Sequence, residues 1–148
     1  MEQVYLNGKI KPAEEALISP EDRGFLFADG IYEVVRWYRG FFFDMEGHML
    51  RLKRSLKETR IIWDGSDTFP EIALSLIKAN KLESAQALVY LQVTRGTAKR
   101  THAFPDPQVE PTVYSFAREI NPDNDLLLKG ISALTSIDIR WGRCDIKS

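Results

Sequence analysis

Ile31-Tyr32-Glu33-Val34-Val35-Arg36-Trp37-Tyr38 is the stretch on which the fold turns. β-Branched and aromatic residues dominate it, which suits a pleated, half-buried surface and predicts a strand. Arg39-Gly40 and then Phe41-Phe42-Phe43 follow, and together they read as a hairpin. Upstream, Val4-Tyr5-Leu6 and Lys9-Ile10-Lys11 flank Asn7-Gly8, a dipeptide that accepts positive φ at both turn positions, so a tight opening hairpin is expected. Downstream, residues 46–60 carry Met49, Leu52 and Leu56 at helical spacing, while Arg51, Lys53, Arg54, Lys57 and Glu58 decorate the rest. A second helix is expected to start at Asp67 or Thr68 and to take Pro70 into its first turn. It lines Ile72, Ala73, Leu76 and Ile77 along one face and stops near Asn80-Lys81. Ala87–Thr94, Thr112–Ala117 and Ile131–Ile139 read as three further strands. Hairpins, then helices, then more strands argue for an α+β layered fold rather than an alternating parallel sheet.

The composition bounds the rest. The 148 residues hold 20 Lys+Arg against 21 Asp+Glu, a net charge of −1, with 44% hydrophobic and 28% charged residues. Roughly 100–200 residues is the usual length of one domain, and a chain of this size buries roughly 68–70% of its unfolded surface without staples. Intrinsic disorder is excluded, and so is a disulfide scaffold, because Cys144 is the only cysteine. Residues 1–8 show no apolar run behind a basic flank, so no signal peptide is expected there. No stretch approaches the ~20 apolar residues that span a bilayer. The near-neutral charge gives no general reason to expect nucleic acid. A reduced, cytoplasmic protein is the expectation.

Several local features are able to bind anions. Arg95, Lys99, Arg100 and His102 fall in a loop with Gly96, Pro105, Asp106 and Pro107 that should be exposed and mobile. A guanidinium and an imidazole two positions apart can grip a carboxylate through charge-assisted hydrogen bonds, although a solvated surface loop has the same composition. His48 and Arg51 stand three apart on one helix face and can hold a phosphate, or form a generic surface pair. Lys147, near Arg140 and Arg143, would have its charged form disfavoured and gain nucleophilicity; a lysine beside a terminus is otherwise simply solvated. Cys144 reads as a small packed side chain. Two histidines and one cysteine make no metal-ligand pattern, and neither a Gly-rich phosphate loop nor a nucleophile elbow is present.

The order of these features along the chain adds what spacing cannot. Glu21-Asp22-Arg23-Gly24-Phe25-Leu26-Phe27-Ala28-Asp29-Gly30-Ile31-Tyr32-Glu33-Val34-Val35 resembles the opening motif of the class IV (fold-type IV) pyridoxal-phosphate enzymes. His48-x-x-Arg51-Leu52, Val93-Thr94-Arg95-Gly96, Arg100-x-His102, Asp138-Ile139-Arg140-Trp141 and Cys144-Asp145-Ile146-Lys147-Ser148 follow in the family's order. The Arg-x-His pair is typical of the D-amino-acid transaminase branch; branched-chain aminotransferases and aminodeoxychorismate lyases share the fold and are the alternatives.

The resemblance implies a two-layer N-terminal domain over residues 1–120, an antiparallel sheet with helices on one side. A linker at Asn121–Asp125 and the first strand of a second, cofactor-binding domain would occupy 121–148. It implies pyridoxal 5'-phosphate as cofactor, Lys147 as the Schiff-base lysine that also moves the substrate's Cα proton, and Arg51 as the phosphate ligand. Tyr32, Arg100 and His102 would trap the α-carboxylate of a D-amino acid such as D-alanine, a 2-oxo acid being the second substrate. Because the family's Arg-x-His loop reaches in from the other subunit, a homodimer is implied. Family members run nearly twice this length, so the chain is expected to be an N-terminal part that does not turn over substrate alone. The competing expectation is a non-catalytic module that binds anions or dimerises through exposed apolar surface.

Overall fold

The structure, a computed structural model, describes residues 2–122 and 124–145. Asn7-Gly8 makes the expected turn, with both residues at positive φ, and joins β1 (Gln3–Leu6) to β2 (Lys9–Pro12). A short 3₁₀ turn and a loop lead to the one-turn helix α1 (Arg23–Phe27), which Asp22 caps by accepting from the Gly24 N–H. The strand β3 (Gly30–Tyr38) follows, then α2 (Met45–Thr59) and α3 (Phe69–Ala79). β4 (Gln86–Thr94) and β5 (Thr112–Glu119) complete an antiparallel sheet in the order β2-β1-β5-β4-β3. The helix α4 (Asn124–Lys129) comes after it.

Alternation along the strands decides which side chains enter the core. Val35, Trp37, Ala87, Val89, Leu91, Val93, Val113 and Ala117 point one way and pack against Leu52 and Leu56 of α2 and Phe69, Ile72, Leu76 and Ile77 of α3. Both helices thus cover one face of the sheet, as an α+β layer with helices on one side requires. The registers Tyr32↔Gln92↔Tyr114 and Val34↔Tyr90↔Phe116 occupy the opposite face. There Tyr32 is 65% exposed. The edge position of β3 matters for the site, because groups on both sides of an outer strand can reach the same border.

Several expectations need correction. Ile131–Ile139 forms no strand: these residues are exposed and make no ladder with another strand among the described residues. Phe41–Phe43 does turn back on β3 as expected, but only briefly: the Tyr38 N–H donates to the Phe41 carbonyl and the Phe43 N–H to the Arg36 carbonyl, both at 2.9 Å, about the bridge Trp37↔Phe42. The start of α3 uses no side-chain cap; a 3₁₀ turn over Asp64–Thr68 feeds directly into it, with Pro70 in the first turn as expected. Asn124 and Asp125 of the polar stretch open α4. Cys144 is exposed rather than packed, its Sγ 3.1 Å from the Trp141 carbonyl oxygen.

Phe69 is fully buried between α3 and the sheet. Truncating it to alanine should cost about 3–5 kcal/mol by lost transfer energy and a residual cavity. Urea unfolding should show this as a lower midpoint with an unchanged slope; a change under ~1 kcal/mol would contradict the packing described.

Candidate functional site

Three clusters of polar side chains surround the β3 border. The first is built on Asp29, just before the strand. Its carboxylate accepts from Arg23 Nε at 2.9 Å and from Arg95 Nε and Nη2 at 2.8 and 2.9 Å. Arg95 also donates to the Thr59 and Arg60 carbonyls at 2.7 and 2.9 Å, at the C-terminal end of α2. Arg23 donates to the Thr101 and Ala103 carbonyls at 2.9 and 3.3 Å, pinning the loop that carries Arg100 and His102. Arg95 is therefore buried, at 4% exposure, and does not belong to the exposed basic cluster in which its spacing placed it. Two glycines let the chain close up here. A Cβ on Gly24 would run into the Thr94 methyl, and one on Gly96 into the Glu110 carbonyl, where φ is also +96°.

The second cluster joins α2 to β3. Glu33, 2% exposed on the helix-covered face, accepts from Arg51 Nε and Nη2 at 2.8 and 2.7 Å. His48 Nδ1 lies 2.8 Å from Glu33 Oε2 and must donate to it, a carboxylate being acceptor only. His48 and Arg51 thus share one helix face as their spacing indicated, but they converge on a buried acid that sequence reading overlooked. The available signal was parity: Glu33 shares the inward set with Ile31, Val35 and Trp37, where a charged residue needs a partner.

The third feature is a cleft of about 780 Å³ on the opposite sheet face. Ile18, Pro20, Phe25, Tyr32, Gln92 and Tyr114 line it. Asp22 lies at its floor, nearly fully buried, accepting from Thr94 Oγ1 at 3.0 Å and Thr112 Oγ1 at 2.6 Å. Burial pushes the neighbouring Tyr90 phenol upward, with Tyr32 and Tyr114 adding to it.

The expected substrate residues are distributed as follows. Arg100 and His102 are both exposed and flank the Phe27 ring, at 5.2 Å and 5.7 Å. They stand together but do not line the cleft that holds Tyr32. Tyr32 and Arg51 lie on opposite faces of the sheet; the Glu33 carboxylate is the main cause that raises Arg51, and the charges of Asp44 and Tyr32 add to it. Arg140 and Arg143 are each taken up by an aspartate two residues away, Asp138 and Asp145. Lys147 lies outside the described residues. Among the described residues, no group of His, Cys, Asp and Glu could hold a metal ion, and no helix is long and apolar enough to cross a membrane.

Comparison with known proteins now decides the family. A family model described as amino-transferase class IV matches residues 30–148. The chain belongs to the class IV aminotransferases. It is 40% identical over 149 aligned residues to a D-alanine aminotransferase of Staphylococcus aureus, covering 100% of this chain and 52% of that protein. A D-alanine aminotransferase of Listeria innocua is 38% identical, with 99% and 51% covered. The chain spans about half the length of these relatives. Among solved structures, the branched-chain amino acid aminotransferase of Escherichia coli superposes with a TM-score of 0.73 at 20% identity, covering 80% of this chain and 40% of that one. The 4-amino-4-deoxychorismate lyase of Pseudomonas aeruginosa gives 0.67 at 24%, covering 86% and 44%. These likenesses carry the fold: an antiparallel sheet with helices, as in the N-terminal half of class IV aminotransferases.

Two arginine-bound carboxylates, the half-buried Asp29 and the buried Glu33, set the acid behaviour of this aminotransferase chain. Burial pushes Asp29 up, but hydrogen bonds and charge from Arg95 and Arg23 outweigh it and hold the group below its ordinary 3.8. Glu33 is likewise raised by burial and brought below its ordinary 4.5 by Arg51 and His48. A lowered native pKa contributes stability above the unfolded value and loses it as pH falls through the native one. Stability should therefore decline steeply below the ordinary carboxylate range. Asp29→Asn should flatten that acid limb and cost about 3–5 kcal/mol at neutral pH, since it leaves buried guanidinium groups unpaired. Urea unfolding across pH measures both; an unchanged acid limb would refute the assignment.

Proposed function

We propose that the whole protein transaminates a D-amino acid of the D-alanine type with a 2-oxo acid, using pyridoxal 5'-phosphate. The observation that carries this is the 40% identity along the entire chain to D-alanine aminotransferases, together with Arg100 and His102 side by side on the loop held by Arg23. Pyridoxal phosphate, when bound, supplies an aldehyde that captures the substrate amine and a ring that takes up the electron pair released at Cα.

The chain's own residues supply placement and proton movement. Arg51 has a donor set suited to a phosphate: its Nε–Nη2 edge is taken by Glu33, and Nη1 makes no hydrogen bond to the described residues. Tyr32, Arg100 and His102 bind the substrate α-carboxylate, the Arg100 guanidinium by charge-assisted hydrogen bonds. Fixing the carboxylate fixes which hydrogen on Cα faces the proton-transferring amine, and that selects the D enantiomer. Lys147 is that amine and also the covalent anchor of the cofactor. Arg100 and His102 stand outside the cleft of their own chain, which favours their serving the site of a second copy, hence a homodimer. Residues 1–120 act as one domain, and 121–148 as linker and beginning of the next. The protein works in the cytoplasm.

Borohydride reduction of the cofactor-loaded whole protein, followed by peptide mapping, should place the adduct on Lys147, and Lys147→Ala should abolish turnover. An adduct on another lysine, or faster turnover of L- than D-alanine, would overturn the reading. Arg100→Ala should raise KM for the amino acid at least tenfold, roughly the effect of losing one charge-assisted hydrogen bond. Cofactor affinity, measured by absorbance titration, should stay within about twofold because Arg100 is assigned no cofactor contact. Equal loss of both would show that Arg100 does not belong to a carboxylate trap.

A further inference from the structure

The Glu33–His48–Arg51 cluster is asymmetric in a way that a merely structural ion pair need not be. The acid is 2% exposed, the imidazole 16% and the guanidinium 55%, so the cluster opens to solvent on its cationic side. Both oxygens of the acid are used: Oε1 takes Arg51 Nε, and Oε2 takes Arg51 Nη2 and His48 Nδ1. A bidentate pair consumes two of the five guanidinium N–H groups. Both N–H groups of Nη1 and one of Nη2 remain; the latter has no acceptor in Nδ1, 3.1 Å away, which already donates to Glu33.

We propose that Glu33 is a positioning residue, which with His48 locks the Arg51 guanidinium in one orientation and presents its Nη1 edge as a ready-made phosphate donor. The proposal rests on the reading that Arg51 holds the cofactor phosphate, and names what makes that grip effective. A half-exposed arginine on a helix samples many rotamers, and ordering it at the moment of binding weakens an anion site. Tying it to a buried carboxylate on the neighbouring strand completes that ordering during folding. The donor edge is then set relative to β3, the strand that also carries Tyr32, as well as to its own helix. The neutral Arg51–Glu33 pair leaves direction, more than net charge, to do the selecting.

The test compares affinities of the cofactor-free whole protein for pyridoxal 5'-phosphate and for pyridoxal, by fluorescence titration. Their ratio isolates the phosphate contribution, because both compounds offer the same aldehyde and ring. Arg51→Ala should lower the ratio roughly tenfold to a hundredfold. Glu33→Gln leaves one acceptor oxygen and puts an N–H₂ against the guanidinium. It should lower the ratio roughly tenfold while pyridoxal affinity stays within about twofold. In the Arg51→Ala background, Glu33→Gln should have no further effect on the ratio. A purely structural Glu33 would lower both affinities together, or act additively with Arg51→Ala, and either result overturns the proposal. An unchanged ratio in Arg51→Ala overturns the phosphate reading itself; a lowered ratio there with an unchanged ratio in Glu33→Gln overturns the positioning role alone. Should Glu33→Gln not fold, His48→Ala decides: a fall of roughly threefold in the ratio supports the proposal and no change refutes it.

Discussion

The carboxylate of Asp29 is the point from which the site-bearing half of the molecule hangs. Two buried guanidinium groups meet it, so the cluster holds one more positive than negative charge. A buried excess charge is costly unless further acceptors surround it. Those acceptors are backbone carbonyls: Thr59 and Arg60 at the end of α2, Thr101 and Ala103 in the loop before β5. The C-terminal end of a helix carries partial negative charge, which is the electrostatic complement Arg95 needs. Phe104 and Phe27 stack over the two guanidinium groups at 3.8 and 4.7 Å and complete their surroundings. One acid thus joins α1, α2, the start of β3 and the 97–110 loop.

This arrangement divides the loop into a fixed base and a free tip. Residues 101 and 103 are tethered through their carbonyls, and the Thr101 hydroxyl donates to the Ala103 carbonyl at 3.3 Å. Arg100 and His102 project exposed from the tethered segment, both beside the Phe27 ring. Function is commonly carried on loops held by a rigid scaffold. Here the scaffold is a polar node rather than an apolar core, so the loop's position depends on charge and on correct protonation.

How much of this could be read from residue order follows the same physics. β1 to β5 and the two long helices were legible because a buried face imposes parity on strands and a 3.6-residue period on helices. Ile131–Ile139 carries the same β-rich signature but has no described partner strand, and composition cannot report whether a partner exists. Arg95 and Arg100 are alike in type and five positions apart, yet one is buried and the other exposed. Only the location of Asp29, 66 residues from Arg95, tells them apart. Local spacing left the anion-binding guesses open; the order of the motifs along the whole chain pointed to the family.

The strand β3 converts that sequence order into two different chemical surfaces. Tyr32 and Glu33 are neighbours, and the pleat sends one to the open face and the other beneath the helices. A one-residue slip of register would exchange them, burying a phenol among aliphatic side chains and stranding Glu33 away from Arg51 and His48. Register at this end is held by local sterics. A Cβ at Gly30 would sit 2.8 Å from the Val93 carbonyl oxygen, so only glycine lets β3 begin opposite Thr94. Gln92 Nε2 then donates to the Ile31 carbonyl at 3.0 Å, a bond that a slipped strand would lose. The residue that passes unnoticed in a list of chemical groups, Gly30, therefore determines on which side of the sheet border each chemical group stands.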